Sequence, residues 1–194
     1  MRRTLTVGVV VGSLRKDSIN LKLANALVSL GQGLAFKFVP IADLPLYNPD
    51  IDGPDTPAAW VKFRERIHAV DAVLFVTPEY NRSVPGGLKN ALDVGSRPMG
   101  QSVWNGKPCA IATASPGGIG GFGANHALRQ SLTFLNMPAM QQPEAYIGGA
   151  FELLDEEGRL VKKETKSFLE NFMLRFASWV ERNVSDDVPV KKVS

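Results

Sequence analysis

The chain has 194 residues, 44% of them hydrophobic and 21% charged, which is enough for a sizeable core in one domain. Its net charge of +3 comes from scattered Lys and Arg, with short runs only at Arg2-Arg3 and Lys191-Lys192. That lacks the dense basic stripe of a nucleic-acid surface and suits small anionic substrates instead.

The single Cys109 excludes an internal disulfide and a Cys-rich metal site, and it sits in an apolar run that marks it as a small buried hydrophobe. His68 and His126 lack a metal-ligand spacing. No apolar run approaches the ~18 residues that span a bilayer. The basic start Met1-Arg-Arg3 leads into a short apolar run that ends in Arg15-Lys16-Asp17, not in a small-residue cleavage site. The chain is therefore expected in the cytoplasm, with no membrane span.

The β-branched, almost wholly apolar run from Thr4 predicts a first strand over about 4–12, covered on both faces. Gly12 allows a tight turn, and the loop that follows is rich in hydroxyls. A helix over about 19–30 carries Leu21, Leu23, Ala24, Leu27, Val28 and Leu30 on one side and stops at Gly31 and Gly33. A second strand is predicted over about 35–41. Ala42 to Pro57 contains four prolines and reads as a surface loop. A helix over 57–69 follows, with Thr56 as its expected N-cap and Pro57 in its first turn.

A third strand is predicted from Asp71 to Thr77, then the loop Pro78 to Pro85 and a helix over about 86–96. The fourth strand covers Lys107 to Ala114. A glycine-dense loop, Ser115 to Gly123, precedes a helix over 124–136. The fifth strand is placed at 144–149, followed by a hairpin-like excursion from Phe151 to Val161 with a Glu157-Gly158 turn. A last helix over 162–183 carries Phe168, Leu169, Phe172, Met173, Phe176 and Val180. Residues 1–184 are expected to form one domain and 185–194 a frayed tail.

Strand and helix alternate throughout, which predicts an α/β fold: a doubly wound five-stranded parallel sheet in the flavodoxin-like order 2-1-3-4-5, with helices on both faces. In such a sheet the ligand lies at the carboxyl ends of the strands, and the unusual loops fall there. The first loop offers Ser13, Ser18 and Asn20 as neutral hydrogen-bonding groups and Arg15 as a cationic fork, beside the amides of a helix N-terminus. It matches neither G-x-x-x-x-G-K-[ST] nor G-x-G-x-x-G. Hydroxyls, amides and a single Arg fit a monophosphate better than a pyrophosphate, which points to FMN.

In the second loop, Tyr80 is a flat body, the backbone amides can meet the polar edge of a ring, and Asn81 supplies both donor and acceptor. A capped turn, with Ser83 as cap and Pro85 in the first helical turn, accounts for part of it but leaves Glu79-Tyr80-Asn81 unexplained. The third loop's glycines permit close backbone approach to a flat ligand. It also holds Gly118-Ile-Gly-Gly-Phe-Gly123, a G-x-G-x-x-G match with Glu144 at a suitable distance. Read as a dinucleotide site, it leaves the first two loops without a role.

The runs Gly12-Ser-Leu-Arg-Lys-Asp-Ser-Ile-Asn20 and Thr77-Pro-Glu-Tyr-Asn-Arg-Ser-Val-Pro-Gly-Gly-Leu-Lys-Asn-Ala-Leu-Asp93 resemble the NADPH-dependent FMN reductase family, in its bacterial chromate and quinone reductase branch. The likeness extends to about residue 182. It implies a flavodoxin-like fold, non-covalent FMN, NADPH or NADH as donor, and a homodimer or homotetramer. Ser13, Arg15, Ser18, Ile19 and Asn20 would then contact the FMN phosphate region. Pro78, Glu79, Tyr80, Asn81 and Arg82 would border the ring and ribityl chain, with Ser115, Gly117 and Gly118 closing the other side.

The chemistry would belong to FMN, with no catalytic side chain or metal required. A hydride from NAD(P)H would pass to the flavin and on to quinones, chromate or azo dyes by a ping-pong route. A flavodoxin-type electron carrier would need the same loops, but such carriers are strongly acidic and this chain is basic. An interaction protein that uses the fold without flavin is the third reading. Arg129 and Glu144 are candidates for a pair across a subunit boundary, or for an ordinary pair within the chain.

Overall fold

The computed structural model describes residues 3–155 and 159–184. Five parallel strands form one sheet: β1 (Leu5–Val11), β2 (Leu34–Phe38), β3 (Ala72–Thr77), β4 (Cys109–Ala114) and β5 (Ala145–Ile147). Their order is β2-β1-β3-β4-β5, the doubly wound flavodoxin-like arrangement expected from the alternation. Every residue of β3 and β4 is buried, as strands covered on both faces require.

The helices are α1 (Ile19–Leu30), α2 (Ala58–His68), α3 (Gly86–Gly95), α4 (Phe122–Phe134) and α5 (Lys163–Asn183). Alternation along the strands builds two apolar layers. Val7, Val9, Leu74, Val76, Ala110 and Ala112 pack with Leu23 and Leu27 of α1 and Phe172 and Phe176 of α5. Val10, Val73, Phe75, Cys109 and Ile111 pack with residues of α2, α3 and α4, including Trp60, Phe63, Leu88 and Leu128. Trp104 fills the second layer completely, and its Nε1 donates to the Leu92 carbonyl at 3.0 Å. Cys109 is fully buried there, and that burial pushes its thiol pKa up to about 12.

Several local expectations are corrected. Thr56 does not cap α2: Pro57 takes the N-cap position without a side-chain bond, and the Thr56 hydroxyl donates to the Gly53 carbonyl at 2.7 Å, inside the preceding turn. Ser83 does not cap α3, whose N-cap is Pro85, because Ser83 is tied back to Tyr80. Helix α4 begins two residues before 124, since Gly121 with φ +81 supplies its left-handed entry. The hairpin-like excursion expected after β5 is present: a 3-10 turn, Ala150–Glu152, leads into an antiparallel bridge between Leu154 and Leu160. The predicted turn at Glu157-Gly158 and the segment 185–194 lie outside the described residues.

The proline-rich connection after β2 is anchored rather than loose. Asn90 of α3 accepts the Tyr47 amide at 2.8 Å and donates to the carbonyls of Leu44 and Pro45. Arg64 grips Asp52 through two bonds of 2.8 Å and donates to the Val94 carbonyl. No helix among the described residues is long and apolar enough to cross a membrane.

Candidate functional site

The three loops singled out in the sequence meet at the carboxyl ends of β1, β3 and β4, and specific bonds lock them together. The first begins at Gly12, whose amide donates to the Val76 carbonyl at 2.9 Å. A Cβ on Gly12 would lie 2.2 Å from Thr77 Oγ1, so glycine is what allows the end of β1 to lie against the end of β3.

Helix α1 then starts at an anion-ready end. Ser18 is its N-cap, with Oγ accepting the Leu21 amide at 3.1 Å. The first turn carries no acidic residue. The Ile19 and Asn20 amides ahead of Leu21 remain for a ligand. Arg15 is exposed and has no carboxylate partner among the described residues, whereas Asp17 is engaged by Lys22 at 2.7 Å, which holds its carboxyl below the usual range. Ser13 Oγ accepts the Arg15 amide over 3.4 Å, a long bond that leaves the hydroxyl hydrogen unspent.

Asn20 is the most informative side chain of this loop. It is buried, its Nδ2 donates to the Ala114 carbonyl at 3.2 Å, and its Oδ1 has no partner. It therefore ties the first loop to the end of β4 and leaves a buried acceptor for a ligand hydroxyl. An uncompensated buried polar oxygen costs about 1–3 kcal/mol, which a bound donor would recover.

In the second loop, Tyr80 and Ser83 exchange both backbone bonds, at 2.9 and 3.0 Å. Asn81 and Arg82 between them have φ of +51 and +66, the geometry of a type I′ turn made without glycine. Each left-handed non-glycine residue costs about 1–2 kcal/mol, and strain of this kind collects at ligand-holding turns. Tyr80 is half exposed on this turn, and Pro78 accepts the Thr77 hydroxyl at 3.0 Å.

Glu79 is turned away from solvent. Its Oε2 accepts the Ala124 amide at 3.1 Å and its Oε1 lies 3.6 Å from Arg82. The side chain thus closes the first turn of α4, which has no cap of its own. This job was not visible in the sequence, where Glu79 stood only as a neighbour of a flat ring.

The third loop is folded back on the sheet. The Thr113 hydroxyl reaches the Gly120 carbonyl at 2.7 Å, and Ser115 Oγ donates to Gly117 at 3.2 Å. A Cβ on Gly120, with φ +60, would meet the Tyr146 carbonyl carbon at 2.5 Å. Gly117 and Gly118 press their backbones against Gly148 in the same way. Of the three glycines in the G-x-G-x-x-G run, Gly120 packs on the Tyr146 backbone of β5, Gly123 lies against the second loop at Arg82, and a Cβ on Gly118 would meet nothing.

Arg129 and Glu144 pair within the chain, Nε to Oε1 3.8 Å, and Arg129 also donates to Asn125 Oδ1 and the Met140 carbonyl. His126 and Tyr146 bond at 3.2 Å beside Phe122, a cluster that sequence reasoning missed because its members are 20 residues apart. His68, at the other end of α2, is exposed. No group of His, Cys, Asp and Glu among the described residues could hold a metal ion.

Known proteins match this chain over most of its length. The family model described as NADPH-dependent FMN reductase matches residues 5–152. A quinone reductase of Pseudomonas putida is 62% identical over 184 residues, covering 94% of this chain and 98% of the relative. A 2-hydroxy-1,4-benzoquinone reductase of a Burkholderia species is 49% identical over 177 residues, covering 91% and 96%. A solved flavoenzyme NAD(P)H:(acceptor) oxidoreductase of Paracoccus denitrificans superposes with a TM-score of 0.87 at 44% identity, covering 92% of this chain and 98% of that one.

Proposed function

Because the chain belongs to the NADPH-dependent FMN reductase family, an oxidoreductase family that uses FMN and NAD(P)H, we propose that it reduces quinones at the expense of NAD(P)H. The observation that carries the proposal is the convergence, at one end of the sheet, of a helix N-terminus with no acidic residue in its first turn, an Arg15 outside the ion pairs of the described residues, and an orphaned Asn20 oxygen. That donor set fits a flavin monophosphate: one cationic fork, two free amides and hydroxyls for a single phosphate, with a buried acceptor next to it.

Bound FMN would supply the two-electron redox chemistry between NAD(P)H and an acceptor. The chain's own residues bind and orient. Arg15, Ser13, Ser18 and the Ile19 and Asn20 amides hold the phosphate end. The strained Asn81-Arg82 turn presents the backbone of residues 78–82 to the ring. Ser115, Gly117 and Gly118 would close the opposite side, where backbone amides would offer hydrogen-bond donors to the ring. Glu79 acts through the first turn of α4, positioning the second loop against the third.

Chromate and azo dyes are further acceptors for a site that selects by access and redox potential. A site in which donor and acceptor take turns in the same place would follow a ping-pong mechanism. The working form is a homodimer or homotetramer in the cytoplasm. Steady-state rates with a soluble quinone varied at several fixed NADPH concentrations test the mechanism. Parallel double-reciprocal lines support one shared face, and intersecting lines contradict it.

A further inference from the structure

Two-electron reduction of a quinone leaves an anionic oxygen that still needs a proton. The only side chain that ordinarily changes charge between pH 5 and 8 is histidine, and this chain has two. His68 ends α2 at the amino edge of the sheet. His126 lies in the second turn of α4, the helix that the third loop enters and whose Ala124 amide is bonded by Glu79 of the second loop.

His126 is exposed, yet it is held. Its Nε2 bonds the Tyr146 hydroxyl at 3.2 Å, and its ring lies 4.2 Å from the half-exposed Phe122 ring. Nδ1 has no partner among the described residues. Tyr146 in turn has its phenol held protonated up to about 12, by burial first and then by the Glu144 carboxylate beside it. The charged groups around the pair are Glu144 and Arg129, 3.8 Å apart, and the Glu79–Arg82 pair over the first turn of α4. The cluster adjoins the third loop directly, since Gly120 packs on the Tyr146 backbone and Phe122 follows Gly121.

From this placement we infer that His126, oriented by Tyr146, is the proton donor to the reduced quinone, with the Phe122 ring as the adjoining wall for a flat acceptor. In the step, the Nδ1–H bond of the imidazolium breaks and an O–H bond forms on the acceptor oxygen. The bonding pair stays on Nδ1. Both electrons and the other hydrogen come from NAD(P)H through the reductase activity, and water restores the imidazolium because His126 faces solvent. The inference rests on the quinone reductase reading above and deepens it.

The test uses FMN-loaded enzyme, reduced anaerobically with one equivalent of NADPH and then mixed with 1,4-benzoquinone or with ferricyanide, which takes electrons without a proton. In His126→Gln, reoxidation by the quinone is expected to slow on the order of 100-fold while that by ferricyanide is unchanged. Tyr146→Phe is expected to give a smaller slowing with the same split. Imidazole in the buffer should restore quinone reoxidation in His126→Ala. A second readout needs no turnover: 1,4-dihydroxybenzene added to oxidised wild-type holoenzyme should shift the His126 ring resonances. Equal slowing with both acceptors, absence of rescue, or unmoved resonances overturns the inference and leaves the reductase reading standing. Wild-type flavin that NADPH fails to reduce overturns both.

Discussion

The Glu79 carboxylate accepts the Ala124 amide at 3.1 Å, so the loop that follows β3 caps the helix that follows β4. Two of the three loops at the carboxyl edge are thereby one mechanical unit, and Gly123 is the residue that lets them touch: a Cβ there would lie 2.9 Å from the Arg82 carbonyl oxygen. Replacing Glu79 by Ala leaves the first turn of α4 uncapped. The expected loss is about 1 kcal/mol of stability, together with weaker FMN binding, whereas Glu79→Gln keeps an acceptor oxygen and loses less of both. Urea midpoints and flavin fluorescence titrations of the two variants check this.

Arg15 is predicted to act on the phosphate alone. A charge-assisted bond of this kind contributes about 1.5–3 kcal/mol, so Arg15→Ala should weaken FMN binding roughly 10- to 100-fold. Riboflavin, which lacks the phosphate, should bind the variant and the wild type alike. Equal weakening for both flavins would place Arg15 elsewhere in the site.

Gly12→Ala tests the close approach of β1 to β3. The added carbon would stand 2.8 Å from Thr77 Cβ as well as 2.2 Å from its hydroxyl, so turning the Thr77 side chain does not relieve it. Overpacking of this kind costs about 1–3 kcal/mol. A thermal midpoint several degrees lower, with FMN affinity falling in parallel, is the expected outcome.

Much of this architecture was legible along the chain because the signals were local. Ser18, the apolar stripe of α1 and Gly31 define that helix from end to end, and its limits match the reading from sequence. The all-buried strands β3 and β4 announce themselves as continuous apolar runs. What the sequence did not reveal depends on residues far apart. Glu79 meets Ala124 across 45 positions, Asn20 meets Ala114 across 94, and Asn90 meets the loop at Tyr47 across 43. Thr56 misled because a local turn claimed its hydroxyl before the helix could. The G-x-G-x-x-G match in the third loop was set aside in the sequence because it left the other two loops without a role, and two of its glycines, Gly120 and Gly123, serve tertiary packing.

Asp52 and Arg64 form a partly buried, bidentate pair. The Arg64 hydrogen bonds hold the Asp52 carboxyl below its ordinary range. A group depressed in the folded state stabilises above its unfolded value, about 4, and loses that contribution as pH falls through its folded value. Asp52→Asn should therefore cost about 1–2 kcal/mol at pH 7, where Arg64 loses its carboxylate, and the gap from wild type should narrow below pH ~4. Arg64→Met added to Asp52→Asn should recover most of the loss. Urea unfolding at the two pH values, for the three proteins, decides it.

The central claim is that this fold holds FMN at the carboxyl edge of its sheet and reduces it with NAD(P)H. The most direct measurement is anaerobic mixing of FMN-loaded protein with NADPH while flavin absorbance is followed in its visible band. Rapid bleaching, reversed on adding a quinone, is the predicted result. A bound flavin that stays oxidised in excess NADPH and NADH would contradict the claim and make the protein an electron carrier that depends on another reductase.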